Sequence, residues 1–134
     1  MREILFRGKR VDNGEWRYGV PLVEGWSKKT YIASYEYSSL AFVQQIEVDP
    51  ETLGQFTGLT DKNGKRIFEG DVVKATGTND HIGYVTFECG KFITRCTCHP
   101  KSVCDIHPPI EEVIGNIHDN GELLTSERSG NENQ

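Results

Sequence analysis

The feature that most constrains this chain is a repeated punctuation by short glycine turns, clearest in "GLTDKNGKRIFEGDVV" from Gly58 to Val73. A three-residue loop, Lys62-Asn63-Gly64, sets Asp61 against Lys65 and Leu59 against Ile67. A two-residue Asn-Gly turn would instead set Lys62 against Lys65, like charge against like. Opposite charges and apolar pairs across strands each contribute roughly 0.2–1 kcal/mol, so the three-residue loop is the expected register. The segment therefore reads as a hairpin.

The same pattern recurs along the chain. In "EILFRGKRVDNGEWRYGVPL" a loop Asp12-Asn13-Gly14 pairs Arg10 with Trp16, Gly8 with Tyr18 and Phe6 with Val20. That register gathers Arg7, Lys9 and Arg17 on one face. In "GYVTFECGKFITRCTC" a glycine-first Gly90-Lys91 turn puts Val85, Phe87 and Cys89 beside Phe92, Thr94, Cys96 and Cys98. "EVIGNIHDNGELL" supplies another strand, taken as Val113 to Ile117, with His118 on the face of Ile114, and then an Asp-Asn-Gly turn. Only "DPETLGQF" has a helix start, with Asp49 as cap and Pro50 at the first position, and Gly54 stops it.

Short strands between glycine turns predict a mostly β fold with little helix. In "EGDVV" the glycine permits a sharp turn and the aspartate hydrogen-bonds it, as at a strand entry of SH3-like barrels. The expected architecture is thus a small SH3-like barrel over about 54–124 with N-terminal β-hairpins, 1–53, packed on it. The two parts are expected to form a single domain over 1–124. The rival reading of Glu69 and Asp71 as a paired carboxylate site lacks a nearby group to tune it.

Composition limits the functions open to the chain. Its 134 residues carry a net charge of −5, and residues 111–134 alone account for that value. An acidic balance gives no basic footprint for nucleic acid. No apolar run approaches a membrane span and the N-terminus lacks a signal-peptide core, so the expectation is a cytoplasmic protein with reduced thiols. The polar end "TSERSGNENQ" predicts a disordered tail over 125–134.

Three segments together carry a family resemblance: "MREILFRGKR", "GQFTGLTDKNGKRIFEGDVVK" (54–74) and "EVIGNIHDNGELL". The chain resembles the YopX-like family of phage and prophage proteins. The resemblance implies a small β-rich protein of a bacterial virus or prophage acting in the host cytoplasm. It implies no reaction, and it does not extend to 27–44 or 95–110.

The sharpest chemistry is "CTCHPKSVCDIH". Cys96, Cys98, Cys104 and His107 could surround a zinc ion, since thiolate and imidazole are its preferred donors. The C-x-C spacing is unusual for zinc, and cysteine serves equally as a small buried hydrophobe. Without a G-x-S-x-G elbow or a phosphate loop, the chain is not expected to be an enzyme, nor to need a cofactor. His81 reads as an exposed loop residue. Aromatics crowd residues 16–42, among them Trp26, Tyr31, Tyr35 and Tyr37, either covering the barrel or marking an interface. The leading expectation is a macromolecule-binding module contacting a host or phage protein or a second copy of itself. The alternative is a weak nucleic-acid binder using Arg7, Lys9 and Arg17.

Overall fold

The computed structural model describes residues 3–34, 44–75, 81–96 and 103–124. The expected tail and the tyrosines at 35 and 37 lie outside them. Among the described residues the chain forms β1 (Phe6–Lys9), β2 (Trp16–Val23), β3 (Thr30–Ser34), β4 (Gln44–Val48), β5 (Gly54–Thr60) and β6 (Arg66–Phe68). It continues with β7 (Asp71–Ala75), β8 (His81–Glu88), β9 (Lys91–Cys96), β10 (Val103–Asp105) and β11 (Glu111–Asn116). One 3-10 turn, Pro50–Thr52, starts where the sequence places it, with the Asp49 carboxylate accepting the Glu51 N–H at 3.0 Å. The chain divides into two compact units, Met1–Phe56 and Thr57–Gln134, within β5.

In the first unit β4, β3, β2 and β1 form an antiparallel meander, and β1 pairs onward with the start of β5 at Phe6↔Gln55 and Arg7↔Gly54. Strand alternation sends Ile32 and Val48 inward, and both are fully buried. The β1–β2 register differs by one residue from the sequence expectation: Lys9 faces Trp16, Gly8 faces Arg17 and Arg7 faces Tyr18. The loop is longer because Arg10 N–H bonds the Glu15 carbonyl at 2.8 Å, and Gly14 N–H bonds back to the Arg10 carbonyl at 3.0 Å. Arg10 also pairs with Asp12 at 2.6 Å, and Asn13 Oδ1 accepts the Glu15 N–H at 2.9 Å. A slip of one residue exchanges the two faces of a strand.

In the second unit five antiparallel strands run in the order β10-β9-β8-β7-β11. The fold is mostly β, as expected, but the barrel is not closed. β10 and β11 are the sheet's two edges and do not pair with each other. The first residues of β5 pair with β1 in the first unit and so are not part of this five-stranded sheet. Ile67, Val73, Val85 and Val113 form the second unit's buried cluster, with Ile106 packed against it.

The mid-chain hairpin has the expected three-residue loop. Asp61 N–H bonds the Lys65 carbonyl at 2.7 Å, and Gly64 sits at φ +83°, a conformation open to glycine. Leu59 is exposed, however, while Ile67 is fully buried. Asp61 is itself buried, and its carboxylate accepts three backbone N–H groups: Asn63 at 2.8 Å, Lys65 at 2.9 Å and Val113 at 2.9 Å. Lys62 N–H bonds the Glu111 carbonyl at 3.0 Å. The turn of the hairpin thus covers the outer edge of β11, which would otherwise present unpaired backbone groups. Asp71 does comparable work one turn later, its Oδ2 accepting the Phe68 N–H at 2.7 Å.

The β8–β9 hairpin turns at Cys89-Gly90 rather than Gly90-Lys91. Glu88 faces Lys91, Phe87 faces Phe92 and Val85 faces Thr94. Cys89 and Gly90 both have positive φ, 53° and 80°, the requirement of a type I′ turn. This register sets Phe87 and Phe92 edge to face with centroids 5.0 Å apart, and it allows an ion pair between Glu88 and Arg95. It is displaced by two pairings from the expected one, so each side chain keeps its face. The strand at the C-terminal end stops at Asn116, and His118 lies exposed in the following turn rather than on the face of Ile114.

Two measurements follow. Burial opposes ionisation of Asp61, but the N–H donors of Val113, Lys65 and Asn63, with the Lys65 charge, outweigh it and hold the carboxyl below its ordinary range. The ionised carboxylate therefore stabilises the fold above the unfolded-state pKa, and that stability is lost as pH falls through the lowered folded value. Asp61→Ala should cost about 3 kcal/mol in denaturant unfolding at pH 7 and flatten the acid limb of the stability curve. Conversely, a non-glycine residue in the left-handed region costs roughly 1–2 kcal/mol, less for asparagine. Cys89→Asn should therefore raise the denaturation midpoint, equivalent to about 1 kcal/mol, with an unchanged slope.

Candidate functional site

Two surfaces carry the residues singled out in the sequence, one in each unit. In the first unit, the β1–β2 register sets Arg7 and Lys9 on the face of Trp16 and Tyr18, and Arg17 on the opposite face. The expected three-cation patch is therefore not assembled. Arg7 is buried, with its guanidinium carbon 4.7 Å from the Trp16 ring centre, and Lys9 Nζ lies 5.8 Å from the same centre. Both cations lie against an aromatic ring, an electrostatic contact with its negative face. Arg17 bonds Glu15 at 3.3 Å.

Pairings Val20↔Ala33 and Leu22↔Tyr31 continue this face across β2 and β3. Tyr18 and Leu22 are each 42% exposed, and Trp16 and Tyr31 are half-buried. Trp26, in the turn between β2 and β3, is wholly exposed. The other side of the sheet holds Ile32 and Val48, so the unit has a buried face and an aromatic-rich face that is partly open.

In the second unit a cavity of about 310 Å3 opens on the inner face of β7, β8 and β9. Its walls include Val73, Ala75, Ile82 and Ile110, an apolar lining, together with Gly83. No side chain stands at position 83 because a β-carbon there would lie 2.5 Å from the Arg95 carbonyl oxygen and 2.8 Å from Thr94 Cγ2. Gly83 thus lets β8 and β9 approach while keeping that side of the cavity low.

Three of the four residues of the expected zinc set meet at this cavity. Cys96, Cys104 and His107 all line it, and Cys98 falls outside the described residues. His81, read from the sequence as a plain loop residue, begins β8 and brings Nδ1 within 3.7 Å of Cys96 Sγ. Among the described residues no three His, Cys, Asp or Glu side chains converge closely enough to hold a metal ion. The described cysteines, Cys89, Cys96 and Cys104, form no disulfide with one another.

Two further groups went unnoticed as functional candidates in the sequence. Thr94 and Glu111 are both more than nine-tenths buried and both line the cavity. Glu111 Oε1 accepts the His107 N–H at 3.0 Å, whereas Oε2 and the Thr94 hydroxyl are buried without a hydrogen-bond partner. The available signal was alternation in "EEV": Glu111 shares its face with Val113, a core residue. Burial raises the Glu111 pKa, against the smaller opposing effects of the His107 N–H and the His107 charge. An acid with a raised folded-state pKa stabilises the fold when protonated, and that contribution is lost as pH rises through the folded value. Glu111→Gln should therefore melt higher than the parent protein at pH 7 to 8, with the difference vanishing at acid pH, as read by thermal denaturation across pH.

Comparison with known proteins places this fold among relatives. A family model described as "YopX protein" matches residues 5–125. The crystal structure of protein EF1440 from Enterococcus faecalis superposes with a TM-score of 0.59 at 23% identity, over 92% of this chain and 99% of that one. It is a likeness of fold alone. Curated proteins give no match. With its mid-chain hairpin and most of both flanking segments inside one continuous match, the chain belongs to the YopX family.

Proposed function

We propose that this protein is a non-enzymatic binding module of phage or prophage origin that contacts a host or phage protein, or its own copy, in the bacterial cytoplasm. The observation that carries the reading is the partly open face of the first unit, with Tyr18 and Leu22 each 42% exposed beside Trp16 and Tyr31. Aromatic and aliphatic side chains on a rigid sheet offer contact area with little loss of rotamer freedom, and such residues are enriched where proteins meet. The fully exposed Trp26 at the adjoining turn adds a candidate anchor.

Support for a non-enzymatic role comes from two of the three buried carboxylates among the described residues, the third being Glu111 at the cavity wall. Asp61 and Asp71 hold backbone N–H groups rather than facing an open cleft. A phosphate-tracking role receives less support, because Arg7 is buried against Trp16 and Arg17 lies on the other side of β1–β2. Among the described residues no helix is long and apolar enough to cross a membrane.

The tagged full chain, used as bait in host-cell extract, is expected to retain a discrete protein, or to sediment as a dimer. The double variant Tyr18→Ser, Leu22→Ser should weaken either association at least tenfold while melting within a few degrees of the parent. A monomer that retains nothing, or association indifferent to both substitutions, would overturn the reading.

A further inference from the structure

The geometry points to a second binding site: the second unit's cavity takes a small molecule with an apolar body and an N–H donor, received by Glu111 Oε2 and Thr94 Oγ1. This inference is independent of the protein-contact reading, which concerns the other unit.

The volume is the first support. A dry apolar cavity of about 150 Å3 is enough to hold benzene, so about 310 Å3 accommodates a ring with a short substituent. The lining is the second. Val73, Ala75, Ile82 and Ile110 present hydrocarbon, as small-molecule sites do, with few polar groups to set orientation.

The third support is the pair of unsatisfied oxygens. Buried polar atoms are nearly always hydrogen-bonded, so two without partners in one cavity call for an occupant. Both can accept, and a carboxylate can only accept, so the matching group on the ligand is a donor. A protonated amine and a neutral amide both present N–H donors, whereas a carboxylate or phosphate would meet like charge. The Glu111 carboxyl is anchored by the His107 N–H on Oε1, and Oε2 is buried without a partner in a residue that lines the cavity.

The test uses the full chain with phenethylamine, phenylacetamide and ethylbenzene, which share a ring and differ in the donor. Binding is read by titration of amide NMR signals. One or both nitrogen compounds should bind at least tenfold more tightly than ethylbenzene and perturb Gly83, Thr94 and Cys96. The amine and amide arms then tell a charged donor from a neutral one. Thr94→Val keeps the shape and removes the hydroxyl; Glu111→Gln, anchored through its oxygen to the His107 N–H, turns an NH2 donor toward the cavity. Each should weaken binding about tenfold. Thr94→Val breaks no existing hydrogen bond and so tests the site independently of Glu111→Gln. No saturable binding at millimolar concentration, equal affinity for ethylbenzene, or affinity indifferent to Thr94→Val would overturn the proposal.

Discussion

The second unit depends on one buried carboxylate. Asp61 holds its own loop through Asn63 and Lys65 and, across 52 residues of chain, the backbone of Val113. A buried charge is tolerated only when hydrogen bonds replace its lost hydration, and three N–H donors do so here. The long-range bond matters most for the architecture. β11 is an edge strand, and the hairpin turn engages its outward-facing Val113 N–H and Glu111 carbonyl. An open sheet thereby obtains, through one turn, part of the edge protection that a closed barrel would have provided.

That bond also positions the cavity. Val113 joins the buried cluster, and Glu111, two residues earlier on the same face, is carried to the cavity wall. A carboxyl group at this position is unfavourable for folding, since desolvation is answered on only one of its oxygens. Local costs of this kind concentrate where a protein has a use for them, and the strain here falls on the same face as a thiol, an imidazole and a buried hydroxyl.

Two hairpins show how turn chemistry propagates into chemistry at a distance. Both depart from the register read from their glycines. At β8–β9 the displacement is even, so Thr94 and Cys96 stay on the face of Val85, where alternation places them. At β1–β2 the displacement is odd, and Arg17 parts from Arg7 and Lys9. A single additional residue in a loop thus dissolves an apparent cationic patch and forms an aromatic face with two cations laid against Trp16.

Much of this was legible in the letters. The β class, the Asp61 loop, the Asp49 cap and the inward face of β9 follow from turn residues and period-two alternation, which are local properties. What the chain could not announce was which strands become neighbours. β5 reads as the first strand of a barrel, yet its opening residues pair with β1, and the barrel stays open. His81 and Cys96 are 15 residues apart and look unrelated until β8 and β9 align. Thr94 and Glu111 become a pair only when the same packing leaves a space between them. Local conformation is encoded within a few residues, whereas the environment of a side chain is set by strands distant in sequence, and function depends on that environment.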